Sequence, residues 1–159
     1  MGPARQAAGI NSGQGEKGGG SVTTHPGVFL TELRLTRLNG RWRRLTSDLI
    51  YTTYQTPEPE TLVIPGGPPL HGFIYDGASV PRIPLAWLLC GDTGEYGAAV
   101  HDFVVREGWP WGLSARVFRE ALYAAPYPEP KWRVEIMYAA VVARGILPYK
   151  AMPGVLDPR

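Results

Sequence analysis

The sequence carries a single cysteine, Cys90, which rules out an intramolecular disulfide and any cysteine-based metal cage. Small secreted domains are more often stapled by disulfides, so the reading favours a chain made and folded inside the cell. No apolar run approaches the ~20 residues that span a bilayer, and no membrane span is expected. The first twenty residues have scattered charge and no apolar segment, which excludes a signal-peptide reading. Charge of one sign is missing too. Sixteen basic residues face fourteen acidic ones, a formal net charge of +2, and that balance predicts no nucleic-acid partner. The densest basic run, Arg41, Arg43 and Arg44 around Trp42, reads as the solvated face of a strand or turn. Histidine is equally sparse. His25 and His71 lie in Gly/Pro-rich stretches without ligand spacing, so neither a metal nor another cofactor is expected.

What the chain has in quantity is glycine and proline, 20 and 16 residues, together with five tryptophans and eight tyrosines. Glycine and proline end regular elements, which predicts a loop-rich fold of short strands. The aromatic residues are expected to anchor those loops or to face a partner. With 44% hydrophobic residues in a chain of 159, one domain with a real core is predicted, spanning about residues 22–152. Residues 1–21 form a glycine-rich arm that cannot bury enough surface to offset its chain entropy. It is expected to be disordered in isolation and to lie along a neighbouring subunit in an assembly. Residues 153–159 are read as a tail.

The predicted class is α+β: a small antiparallel sheet of short strands in the N-terminal half, packed on about three C-terminal helices. Loose alternation of Val28, Leu30, Leu33 and Leu35 predicts one strand over 28–35. Asn39-Gly40 predicts a type I′ turn into a returning strand at 41–45. Residues 48–54, 61–64 and 72–75 follow as further strands. From Thr93 the period changes. Tyr96, Ala99, Val100, Phe103 and Val104 recur at helical spacing, with Asp92 or Thr93 as cap and Gly108 as stop. Ser114 is read as the cap of a second helix, whose Val117, Phe118, Ala121 and Leu122 face the core. A third helix runs from Pro130 to Arg144 and ends at Gly145. Trp132, Ile136, Ala139 and Ala143 are assigned as its core stripe, while Val134, Met137, Tyr138 and Val141 leave it apolar nearly all round. It is therefore expected to be the most buried element.

The densest polar signal is Tyr75-Asp76-Gly77-Ala78-Ser79-Val80-Pro81-Arg82, followed by His101-Asp102 on the first helix. An Asp-Gly-Ala-Ser stretch forms a tight turn, because glycine frees the backbone and Asp and Ser bond to nearby amides. His101 has the chemistry of a proton carrier oriented by a carboxylate, Asp76 or Asp102, and Ser79 that of a nucleophile. The candidate catalytic residues are thus Asp76, Ser79, His101 and Asp102. None is assigned as catalytic: Ser79 lacks the Gly-x-Ser-x-Gly elbow, and adjacent His101 and Asp102 are about 100° apart on a helix. The preferred reading is a structural motif of Asp76, Gly77, Ser79, Pro81, Arg82, His101 and Asp102, with a buried Asp76–His101 hydrogen bond tying turn to helix.

These segments, with Phe118-x-Glu120-Ala121-Leu122 and the Met137-Tyr138 helix, resemble the family called domain of unknown function 1353. The resemblance covers roughly residues 28–145. Members occur in tailed bacteriophages and prophages. The pattern departs in three places. His-Asp continues here as Phe103-Val104-Val105 rather than x-Leu-Tyr, Ala115 stands where the family usually has Asp, and Gly66 to His71 is an insertion. The resemblance implies a virion structural or assembly protein of the tail, baseplate or neck. Its expected partners are other phage structural proteins and further copies of itself. The alternative is a small phage-encoded hydrolase acting on the cell envelope through Asp76, His101 and Asp102.

Overall fold

The computed structural model describes residues 26–39, 42–68, 71–76, 94–127 and 129–146. The N-terminal arm, His25, Gly40, Arg41, residues 77–82 including Ser79, Cys90, Asp92, Thr93 and the tail lie outside the described residues.

Among the described residues six short strands precede three helices, an α+β arrangement. The strands are β1 (Val28–Phe29), β2 (Leu35–Arg37), β3 (Trp42–Leu45), β4 (Leu49–Thr53), β5 (Glu60–Ile64) and β6 (Ile74–Asp76). They divide between two antiparallel three-stranded sheets, ordered β1-β4-β5 and β2-β3-β6. The single strand expected over 28–35 is therefore two strands in different sheets. Thr31 causes the break: its hydroxyl donates to the Asp48 carbonyl at 2.9 Å and accepts the Ile50 N–H at 2.8 Å. A side chain that satisfies the neighbouring backbone displaces the ladder. The β2–β3 hairpin forms, but Leu38 N–H bonds to the Trp42 carbonyl, so three residues separate the paired positions instead of the two of a type I′ turn.

The helices are α1 (Glu95–Arg106), α2 (Trp111–Ala124) and α3 (Lys131–Ile146). α1 starts after Gly94, whose positive φ of 86° suits a residue without a side chain, and no side chain caps it. α2 starts at Trp111 behind Pro110, three residues before the predicted cap. Ser114 instead lies within the first turn, buried, its hydroxyl facing the Trp109 and Pro110 carbonyls at 3.4 and 3.3 Å. Leu45, Leu49, Tyr51, Ile64 and Tyr75 of the sheets meet Ala99, Val100, Val104, Val117 and Ala121 of α1 and α2 in the main core. A second cluster joins Ala115, Phe118 and Leu122 of α2 to Val134, Met137 and Val141 of α3.

α3 is rotated relative to expectation. Val134, Met137, Ala140 and Val141 are buried, whereas Trp132 is 51% exposed and Ala139 and Ala143 face solvent. Apolar residues surround this helix, so periodicity alone leaves its rotation open, and specific contacts with α2 fix it. Trp111 donates Nε1–H to the Val141 carbonyl at 3.0 Å, and a Cβ on Gly145 would fall 2.0 Å from the same indole. Gly145 thus admits a tryptophan instead of ending the helix. On the adjoining edge, Glu135 accepts from Arg119 and from Tyr123 Oη at 2.6 Å. Among the described helices the most buried is α2, with seven buried residues between the other two helices and the strands.

Candidate functional site

Of the polar residues singled out in the sequence, Asp76, His101 and Asp102 are described, and they lie where α1 crosses β6. Asp102 Oδ2 accepts the main-chain N–H of Asp76 at 3.1 Å. Its Oδ1 lies 3.5 Å from His101 Nδ1. The expected Asp76–His101 hydrogen bond is replaced by this contact to Asp102. The geometry of a helix explains the exchange: neighbouring side chains diverge by about 100°, and Asp102 faces the strand while His101 turns toward α2. There the imidazole meets Trp111 and Phe118, each with ring centroids 5.4 Å away and near edge-on. Its Nε2 is buried without a hydrogen-bond partner. Ala115 is buried in the apolar cluster of Phe118.

Beside this junction lies an ion pair that the sequence reading missed. Against the solvated face expected for it, Arg43 is 2% exposed, and its Nε donates to Glu95 Oε1 at 3.0 Å. Arg37 approaches the same oxygen at 3.6 Å. Strand parity carries the signal, since Arg43 shares a face with the buried Leu45. Tyr75, opposite Arg43 in the β3–β6 register, is buried with its hydroxyl unpartnered. Burial, and then the Glu95 carboxylate, push its pKa well above the ordinary tyrosine value.

Glu120, in the Phe-x-Glu-Ala-Leu segment, is the second polar centre overlooked. It is buried on α2 and accepts from four donors of β4 and the loop after it. Tyr51 Oη and Thr53 Oγ1 reach Oε2 at 2.8 and 2.5 Å, and Tyr54 N and Gln55 Nε2 reach Oε1 at 3.1 and 3.3 Å. Burial and the adjacent carboxylate hold the Tyr51 hydroxyl far above its usual pKa. The available signal was an acidic residue between core positions 118 and 121 of an amphipathic helix, which must find donors when buried.

Residues 43–141 match the model of a family described as protein of unknown function (DUF1353). That span is well over half of the 159 residues. The chain belongs to the DUF1353 family. No curated protein and no solved structure matches it significantly. The DUF1353 span runs from the buried Arg43 to the Val141 carbonyl that Trp111 holds, and it includes His101, Asp102 and Glu120.

Chemically, the α1–β6 junction has half of a proton-transfer device, an imidazole with a carboxylate near Nδ1. The other nitrogen has no access to solvent. A cavity of about 190 Å³ opens at the start of α1, lined by Gly94, Glu95, Tyr96, Leu122, Tyr127 and Glu129 among others. Asp76, His101 and Asp102 do not line it. Among the described residues no group of three or more His, Cys, Asp or Glu side chains is placed to hold a metal ion. No helix among them is long and apolar enough to cross a membrane.

Proposed function

We propose that this DUF1353 member is a bacteriophage virion structural or assembly protein, of the tail, baseplate or neck, that works by packing. The phage context rests on the family resemblance. The packing role rests on one observation: the imidazole Nε2 that would carry a proton is buried without a hydrogen-bond partner, in a ring packed edge-on against Trp111 and Phe118. A general base needs its nitrogen within hydrogen-bond reach of substrate or water. The neighbouring carboxylates hold elements together instead, Asp102 on β6 and Glu120 on β4.

The test is quantitative mass spectrometry of purified particles. A fixed copy number relative to a known particle protein is expected, and deleting residues 1–20 should abolish incorporation while leaving the thermal midpoint of the domain unchanged. Absence from particles that need the gene to form would point to an assembly factor that departs. Cleavage of cell-envelope material by the purified chain, lost in a folded His101→Ala variant, would overturn the packing reading in favour of the hydrolase.

A further inference from the structure

The sheet β1-β4-β5 has an outer face of unusual composition. Leu30 lies beside Ile50, donating its N–H to the Ile50 carbonyl, and Ile50 is opposite Val63. The next row is Val28, Thr52 and Thr61, with the two threonine hydroxyls 2.9 Å apart. These two rows contain no charged side chain, and Val28, Leu30 and Val63 are 42, 60 and 53% exposed. β5 closes the sheet on one side. Among the described residues no strand pairs with its outer edge. Open edges are usually protected by lysine, an inward-pointing charge or a bulge, and Thr61 to Ile64 have no charge at all. Pro59 and Pro65 bound the strand at both ends and limit pairing to its five residues.

We propose that the open edge of β5 pairs antiparallel with β5 of a second copy, about a two-fold axis at Leu62, making one six-stranded sheet. Charge decides for a second copy. Centred on Leu62, the pairing sets Thr61 opposite Val63 of the partner subunit and Glu60 opposite Ile64 of the partner subunit. The two Glu60 side chains, the only charges on the paired strands, then stand four residues apart, about 13 Å along the strand. That exceeds the ~8 Å screening length of physiological salt, so like-charge repulsion is small. Because the axis is perpendicular to the sheet, outer face continues into outer face. Each row becomes six uncharged residues long, with a β-branched Thr–Val pair at the seam, a favourable cross-strand combination. Five residues of edge make a small interface, which places the dimer among weak, concentration-dependent ones. The inference does not depend on the particle reading, since it concerns the purified chain.

Sedimentation equilibrium of the full chain between about 5 and 500 μM tests it. The mass should rise from 17.4 kDa toward twice that value with concentration. Val63→Lys, at an exposed position, should keep the far-UV spectrum and weaken dimerisation at least tenfold. Adding Thr61→Glu sets each new carboxylate opposite a new ammonium across the seam, and should restore the dimer in low salt only. A monomer at every concentration overturns the proposal, as does a dimer that Val63→Lys leaves unchanged. Loss in the single variant without rescue in the double overturns the register centred on Leu62. Should Val63→Lys disturb the fold, Thr61→Lys blocks the same seam and is read in the same way.

Discussion

Tyr51 of β4 donates its hydroxyl to Glu120 of α2 at 2.8 Å, with both side chains buried, and this bond crosses 69 positions of sequence. Thr53 donates to the same oxygen, so one carboxylate holds the end of a strand against the central helix. Glu120→Ala removes the acceptor of two buried hydroxyls at about 1–3 kcal/mol apiece, and a loss of about 2–6 kcal/mol is expected. Glu120→Gln keeps one acceptor oxygen and should lose about 1–3 kcal/mol. Urea unfolding of the variants measures both. Equal stability of Glu120→Ala and the parent would show that the cluster does not hold the fold.

Tyr51 and Tyr75 are both buried tyrosines, yet their hydroxyls differ in partners, and opposite outcomes follow. Tyr51→Phe should destabilise by about 1.5–3 kcal/mol, because its bond goes to an ionised group. Tyr75→Phe deletes a buried hydroxyl with no partner and should be neutral or stabilising by up to about 1 kcal/mol. Thermal midpoints at pH 7 separate the two.

The same tyrosines set the alkaline limit. Their folded pKa values are raised above the ordinary 10.0, chiefly by burial. Above pH 10 the unfolded chain therefore loses phenolic protons that the folded chain keeps, and stability falls as pH rises. Below that pH the contribution is intact. Each tyrosine should add about 1.4 kcal/mol per pH unit to the slope. Denaturant midpoints from pH 9 to 11.5 should bend downward near 10, and either Phe variant should make the bend shallower.

The Arg43–Glu95 pair joins β3 to the start of α1. Removing one member leaves a charge without its main partner, and Arg43→Ala should lose about 3–5 kcal/mol. Replacing both, as Arg43→Met with Glu95→Leu, should recover most of that loss, since a buried pair contributes little net stability over apolar residues of similar volume. A double-mutant cycle in urea measures the coupling. Additive losses would mean that the two residues act separately.

Class and element order were legible because they depend on local periodicity and punctuation. Val117, Phe118, Ala121 and Leu122 are buried as their spacing requires, and Gly108, with φ of 81°, follows the end of α1. What local pattern could not settle was long-range choice. Alternation through Leu33 and Leu35 reports which side faces the core, not which strand lies alongside, so the division into two sheets was hidden. Arg43 has the pattern of a surface charge, and Glu120 draws no assignment from spacing alone, because their partners, Glu95 and Tyr51, are far away in sequence. At the His101 junction the residue types were found but the pairing was not. Whether Asp102 or His101 meets Asp76 depends on how α1 is rotated over β6, which no spacing within the helix determines.

The rotation of α3 gives the clearest contrast between two residues of one helix. Trp132 is half exposed, with the Arg133 guanidinium 5.4 Å from its ring centroid, while Met137 is fully buried against α2. Had the Trp132 stripe been the core face, Trp132→Ala would cost about 3–5 kcal/mol. With the observed rotation, Trp132→Ala removes little buried surface and one exposed cation–π contact, itself about 0.5–1 kcal/mol. A loss of about 1 kcal/mol or less is expected. Met137→Ala should open a cavity among Phe118, Leu122 and Val141 and cost about 2–5 kcal/mol. The two variants, unfolded in urea under the same conditions, order the faces directly. If Trp132→Ala is the more damaging, α3 is docked by its other side, and the contacts of Trp111 with Val141 and Gly145 are not those that hold it in solution.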